Sequence, residues 1–221
     1  MNQLHAFRLL LLFFCAALFG LPTGLAQDPF EDHPVRHIGP GTMSGRVTSL
    51  AVDPTDRDII YAGTASGGLW RSPSSGATWE PLFDDQDILS IGSVAVAPSN
   101  PDVLWAGTGE GNPRNSHTSG RGIYRSIDGG ATWRMMGLED TRTIHRIRIH
   151  PTDPKTVFVA AMGSAWGPNP ERGVFRTRDG GETWDHVLSI DDTTGCAEMI
   201  MDPSLSLIHI PSPRDTMSSR M

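Results

Sequence analysis

Cysteine is nearly absent from this chain, with only Cys15 and Cys196 among its 221 residues. Cys15 lies in an apolar amino-terminal run, and once that run is removed Cys196 is alone, so no internal disulfide can hold the fold. No histidine lies near Cys196 in sequence, and it reads as a small apolar residue at the start of a strand rather than as a catalytic thiol. Clusters of Lys and Arg are also missing, and the formal charge of −7 argues against a phosphate-binding surface and hence against a nucleic-acid partner. No stretch beyond the amino terminus carries a helical period, and no metal-ligand spacing occurs. "GPGTMSG" at 39–45 is Gly-rich but lacks the Lys-Ser/Thr of a phosphate loop. Neither a metal nor a cofactor is expected.

Residues 1–26 have the form of an export signal. Arg8 supplies a short basic region, an apolar stretch runs from Leu9 to Leu21, and "GLA" at 24–26 places small residues before a cleavage point near Ala26. Pro22 and Gly24 break the run short of the roughly 20 residues that a spanning helix needs. The mature protein is therefore expected outside the cytoplasm, secreted or periplasmic, with no membrane span. Residues 27–43 form a lead-in segment.

Repetition dominates the rest of the chain. "RSIDGGATW" at 125–133 returns as "RTRDGGETW" at 176–184 and, more loosely, as "RSPSSGATW" at 71–79, so Trp79, Trp133 and Trp184 recur at intervals of roughly 50 residues. A second landmark precedes each: "VDPTDRDIIYAGT" at 52–64, "VAPSNPDVLWAGT" at 96–108 and "IHPTDPKTVFVAA" at 149–161. The strands before the Gly-rich stretches also match, as "GLWR", "GIYR" and "GVFR". Each unit reads as four short strands: an alternating first strand, a Pro-Asp or Pro-Asn turn, an apolar second strand, a loop, an aromatic third strand, a Gly-rich turn and a fourth strand opening at Thr-Trp. Four strands per repeat of ~40–50 residues predicts an all-β chain, a β-propeller. Its blades are expected at about 44–83, 91–137 and 144–190, with a fourth starting at 196–204, so the ring is incomplete.

The repeated turn explains its own composition. Gly supplies positive φ in a tight hairpin, and the Asp128 or Asp179 carboxylate accepts N–H groups of its own turn. The reading is structural: Ser126, Asp128, Gly130, Thr132 and Trp133 in the second blade, and Asp179, Gly181, Thr183 and Trp184 in the third. The first blade keeps Ser72, Gly76, Thr78 and Trp79 but carries Ser74 at the Asp position. "SIDGGATW" matches the Asp-box pattern S-x-D-x-G-x-T-W of the bacterial neuraminidase repeat. Over roughly residues 38–204 the chain resembles the Asp-box propellers, which include sialidases, xyloglucan-cleaving endoglucanases, photosystem II assembly factors and the sortilin ectodomain. It is most similar to the exported bacterial proteins with sortilin-type or YVTN/BNR-like repeats.

After "MDPS" the chain departs from the repeat, and "LSLIHI" at 205–210 is similar to an in-frame translation of a transposon-end sequencing adapter. Residues 205–221 are therefore expected to be a non-native or disordered tail, the alternative being a divergent second strand using Leu205, Leu207 and Ile208. The missing blades would lie beyond it.

Function is expected on the face away from the Gly-rich turns, where the second-to-third-strand loops and the links between blades gather. Two of these loops are long, "GEGNPRNSHTSGR" at 109–121 and "MGSAWGPNPER" at 162–172, and long loops on a rigid scaffold are where binding concentrates. The ligand-binding candidates are Glu110, Asn112, Arg114, Arg121, Trp166 and Arg172, with Asn115, Asn169 and Glu171 beside them. His117 reads as solvated. Trp166, the one Trp outside the repeat positions, is either a stacking platform or a cover for the edge of its own blade.

No catalytic residue is assigned. The resemblance to sialidases implies a Tyr nucleophile and an Arg cluster, but Tyr61 and Tyr124 occupy packing positions and no F-R-I-P segment is present. The resemblance to xyloglucan-cleaving enzymes implies a first-blade carboxylate in a T-D-x-G-G-x-Y-R stretch, and "TASGGLWR" at 64–71 has Ala65 there. The expected function is a binding or interaction module for a glycan or an extracellular peptide or protein. The alternative is a glycoside hydrolase acting on polysaccharide, with its carboxylates in blades not present here.

Overall fold

Short runs of β-branched and aromatic residues, each stopped by a Gly- or Pro-containing turn, can satisfy their backbone groups only by pairing with one another. The computed structural model describes residues 46–112, 117–202 and 207–209, so the expected export signal, the expected lead-in segment and most of the expected tail lie outside the described residues. Within the described residues the first blade pairs β1 (Val47–Val52), β2 (Ile60–Thr64), β3 (Leu69–Ser72) and β4 (Glu80–Pro81) in sequence order. The second pairs β5 (Ile91–Ala97), β6 (Asn100–Thr108), β7 (Ile123–Ser126) and β8 (Arg134–Met135) in the same way. The third pairs β9 (Ile144–Ile149), β10 (Val157–Ala161), β11 (Gly173–Thr177) and β12 (Asp185–Leu188). The architecture is that of a β-propeller with three four-stranded blades, whose ring the described residues do not close. Fourth strands open one residue after the Trp, at Glu80, Arg134 and Asp185, because Thr and Trp belong to the turn.

A two-stranded sheet comes next, made by β13 (Ile200–Asp202) and β14 (Leu207–His209). Residues 207–209 thus take the place of a second strand, and this part of the expected tail is structured. Cys196 lies four residues before β13 rather than at a strand start, with its N–H on the Ala161 carbonyl (3.0 Å) and its thiol buried and raised in pKa by that burial.

Apolar cores sit between consecutive blades. Tyr61, Leu69, Phe83, Ile91, Leu104 and Tyr124 fill the first gap, and Trp105, Ile123, Met136, Ile144, Val159 and Phe175 the second. Tyr61 and Tyr124 are buried core residues, and burial raises the pKa of both phenols. A third core, with Ala160, Val174, Cys196 and Met199, joins the third blade to the residues before β13.

The Gly-rich turns close by one recurring network. Asp128 accepts from the Ser126 hydroxyl (2.7 Å), the Thr132 N–H (2.9 Å) and the Thr132 hydroxyl (2.5 Å). Asp179 does the same with Thr177 and Thr183. In the first blade Ser74 replaces the carboxylate and still accepts the Thr78 N–H at 2.9 Å. Two successive residues have positive φ in each turn: 69° and 94° at Gly129 and Gly130, and 79° and 96° at Gly180 and Gly181. Every turn also bonds to the Pro-containing turn of its own blade, through Ser75 to Asp58, Gly129 to Asp102 and Gly180 to Lys155.

The same turns hold neighbouring blades together. In all three sheets the second-strand aromatic pairs with the third-strand Arg: Tyr61 with Arg71, Trp105 with Arg125 and Phe158 with Arg176. Arg71 donates to the Gly129 carbonyl of the next blade (3.2 Å), and Arg125 to that of Gly180 (3.1 Å). The closing Trp residues of the second and third blades, Trp133 and Trp184, pack against the preceding blade. Trp133 meets Phe83 edge-on at 5.2 Å, and Trp184 meets Trp105 at 6.0 Å while its N–H reaches the Met136 carbonyl (2.7 Å). Trp133 and Trp184 are only half-buried, so truncating Trp133 should cost about 2 kcal/mol rather than the full penalty of a core indole.

Acid should reveal the turns. The Thr132 hydroxyl and N–H and the Ser126 hydroxyl hold Asp128 down to about 2, and the matching bonds lower Asp179 as well. A depressed carboxylate contributes stability above its unfolded pKa and loses it as pH falls through the folded value. Melting temperature should therefore fall between about pH 4 and pH 2. The Asp128→Asn, Asp179→Asn double variant should melt lower at neutral pH with a shallower acid limb. An acid limb as steep as the wild type's would contradict the assignment.

Candidate functional site

Opposite the Gly-rich turns, the β6–β7 and β10–β11 loops enclose a cleft of about 230 Å³. Glu110, Gly111 and His117 come from the first loop, Met162, Ser164 and Arg172 from the second or its end, and Thr143 from the link between blades. Backbone bonds fix these pieces: Glu110 N–H to the Thr118 carbonyl (3.1 Å), Gly120 to Arg142 (2.6 Å) and Met162 to Thr143 (2.9 Å). A 3-10 turn, Glu139–Thr141, leads into the link, flanked by Leu138 (φ 60°) and Arg142 (φ 57°). Left-handed backbone at two residues other than glycine is strained and persists because the surrounding bonds over-determine it.

The cleft is polar. Glu110 is 1% exposed and its carboxylate is ion-paired with Arg46, which precedes β1. The Thr143 hydroxyl and Nδ1 of His117 are buried without a hydrogen-bond partner among the described residues. Buried polar atoms are nearly always partnered, so both are available to a ligand or to water. Burial lowers the pKa of His117, which favours the neutral imidazole, an acceptor or donor toward a hydroxyl. At the rim Trp166 is 77% exposed and meets the His117 ring edge-on at 6.3 Å.

The candidates divide accordingly. Glu110 lines the cleft, Trp166 stands open at its rim, and His117 is half-buried in the wall rather than solvated. Arg172 lines the cleft too, but both of its terminal nitrogens are held by backbone, donating to the carbonyls of Met162, Ser164 (2.5 Å) and Gly167 (3.1 Å), while its Nε is buried without a partner among the described residues. It staples its own loop. Asn169 is buried, with its amide on the Asp140 carbonyl (2.9 Å) and its Oδ1 accepting the Glu171 N–H (2.8 Å), so this pair shapes the loop. Asn112 and Arg121 are exposed and outside the cleft lining, whereas Arg114 and Asn115 lie outside the described residues. Thr143 and Arg46 escape a reading of the sequence, because neither belongs to a repeat landmark or a long loop. Ala65, 4% exposed, has its N–H on the Arg46 carbonyl (2.9 Å).

Among the described residues no group of three or more His, Cys, Asp or Glu is placed to hold a metal, and no helix is long and apolar enough to cross a membrane. Sheets, turns and cleft together define a propeller repeat protein with a polar cleft between the long loops of two blades. No family model matches the chain. It is similar to the xyloglucanase Xgh74A of Acetivibrio thermocellus, 27% identical with 66% of this chain and 26% of that protein covered. It is likewise 27% identical to a xyloglucanase of Paenibacillus sp, covering 68% of this chain and 22% of that protein. The chain thus spans about a quarter of the length of these curated relatives. Among solved structures it is similar to an ancestral GH74 enzyme, with a TM-score of 0.58 and 20% identity over 74% of this chain and 21% of that one, which speaks to the fold alone.

If Arg172 is a loop staple, Arg172→Ala should speed cleavage after Trp166 by a chymotrypsin-like protease while leaving global melting nearly unchanged. Unaltered cleavage kinetics would make Arg172 a ligand contact instead.

Proposed function

We propose that this chain is the blade-bearing part of an exported Asp-box propeller, of the sortilin-type repeat group, that binds a glycan through its loop face without cleaving it. The curated relatives are xyloglucanases, which supports a β-glucan of that kind as the ligand class. A sugar fits the chemistry of the cleft: orphan Thr143 and His117 groups for ring hydroxyls, and an open indole face at Trp166 for stacking. The carrying observation concerns carboxylates. Hydrolysis with either stereochemistry generally uses two carboxyl groups flanking the bond. Among the described residues Glu110 is the single carboxylate lining the cleft, and it is buried against Arg46. Ala65, at the position where the xyloglucan-cleaving pattern has Asp, neither takes nor gives a proton.

The xyloglucanase relatives favour one second reading, a glycoside hydrolase whose carboxylates come from blades outside this chain. Reducing-sugar release from a panel of polysaccharides, run beside retention on the same immobilised panel, separates the two. The full-length protein should be retained on xyloglucan without releasing reducing ends, and Trp166→Ala should weaken retention by about 1–2 kcal/mol with melting unchanged. Turnover at enzyme-like rates would establish the hydrolase reading instead.

A further inference from the structure

The strands β1, β5 and β9 neighbour one another as the inner strands of their blades, and between them and the residue run before β13 lies a second cavity of about 520 Å³. Ser49, Ser93, Arg146, Arg148, Glu198 and Ile200 line it. It shares no residue with the loop cleft. Arg146 Nε donates to both Glu198 carboxylate oxygens (3.0 and 2.9 Å), and Arg148 Nη2 reaches one of them at 3.4 Å. That oxygen also accepts the Met199 N–H (3.0 Å). Nη1 of each Arg turns back to a strand carbonyl, of His145 and of Ile147.

Two guanidinium groups therefore share one carboxylate in a chain whose overall charge is negative. Glu198 is held below its usual range: burial opposes ionisation, but the bonds from Met199 and Arg146 and the charges of both Arg residues outweigh it. Its charge thus cancels one Arg and leaves the other uncompensated among the groups lining the cavity. Arg146 Nη2 and Arg148 Nε have no hydrogen-bond partner among the described residues. A guanidinium presents a planar fork of donors that matches a carboxylate, and the seated Glu198 shows that this pair accepts one.

We propose that this inner-strand cavity is a binding site for a small carboxylate-bearing ligand, with Arg148 and Arg146 supplying the donors that Glu198 leaves unused. The site is independent of the loop-face reading, since Trp166→Ala leaves its lining intact and the two fail separately.

Calorimetric titration of the full-length protein with glucuronate, and with glucose as the neutral control, tests it. Glucuronate should bind saturably and glucose should not. Arg148→Ala should weaken binding about tenfold or more, the loss expected for a charge-assisted hydrogen bond. Glu198→Gln keeps the side-chain shape while removing the competing charge, so it should bind glucuronate more tightly than the wild type, and it serves as the test should Arg148→Ala fail to fold. No saturable heat with glucuronate, equal binding of glucose, glucuronate affinity unmoved in a folded Arg148→Ala protein, or affinity not raised in a folded Glu198→Gln protein would each overturn the proposal.

Discussion

A blade of four short strands cannot bury both of its faces alone, and here the contact between one blade's third strand and the next blade's Gly-rich turn supplies the register in which burial occurs. Arg71 and Arg125 each span a blade boundary to a turn carbonyl, and Arg125 lies over the Trp105 ring at 5.7 Å on the way. Such a bond needs the turn carbonyl in one fixed position, and the Asp clamp with two consecutive left-handed residues provides it. Close approach adds a steric condition. A Cβ on Gly181 would stand 2.7 Å from the Trp105 ring, and one on Gly130 would stand 2.8 Å from Leu82, a side chain of the preceding blade. The glycines thus serve the boundary between blades as much as their own hairpins.

That face is committed to holding blades together, and the polar cleft with its unpartnered groups lies at the other one. There the loops differ in length and composition, while the strands beneath them keep one register from blade to blade. The β6–β7 and β10–β11 loops rest on backbone bonds and on the Arg172 and Asn169 staples, so the polar groups of the cleft sit on a rigid support. Glu110, buried in the cleft wall, pairs with the half-buried Arg46 and so links the residues before β1 to the loop of the second blade. Removing Arg46 would leave Glu110 an uncompensated buried charge, which ties the shape of the cleft to the join between the first two blades.

Much of this was legible in the sequence because the repeat states each element three times. Asp128, Gly130 and Trp133 announce a turn, and their recurrence at even spacing announces an architecture. The Arg of "GLWR" and "GIYR" was visible in the same alignment of repeats, yet the turn carbonyl it reaches is in the following blade, and no local pattern reports a contact between repeats. The same limit applies to the closing Trp residues, whose packing partners Phe83 and Trp105 belong to the preceding blade. Loop length pointed to the cleft, but residue type did not divide ligand groups from staples: Arg172 and Asn169 look like contacts until their backbone partners are seen. Thr143 has the opposite character, an ordinary residue in a short link whose hydroxyl matters only because it is buried without a partner.

The division of labour between the two faces has one direct test. Arg125→Ala in the full-length protein removes the bond to Gly180 and the contact with Trp105 without touching the loop cleft. Thermal melting and retention on immobilised xyloglucan, measured on the same preparation, should show a lower melting temperature with retention intact while the protein is folded. Unchanged melting together with lost retention would contradict the account, because the Gly-rich face would then be where the ligand binds.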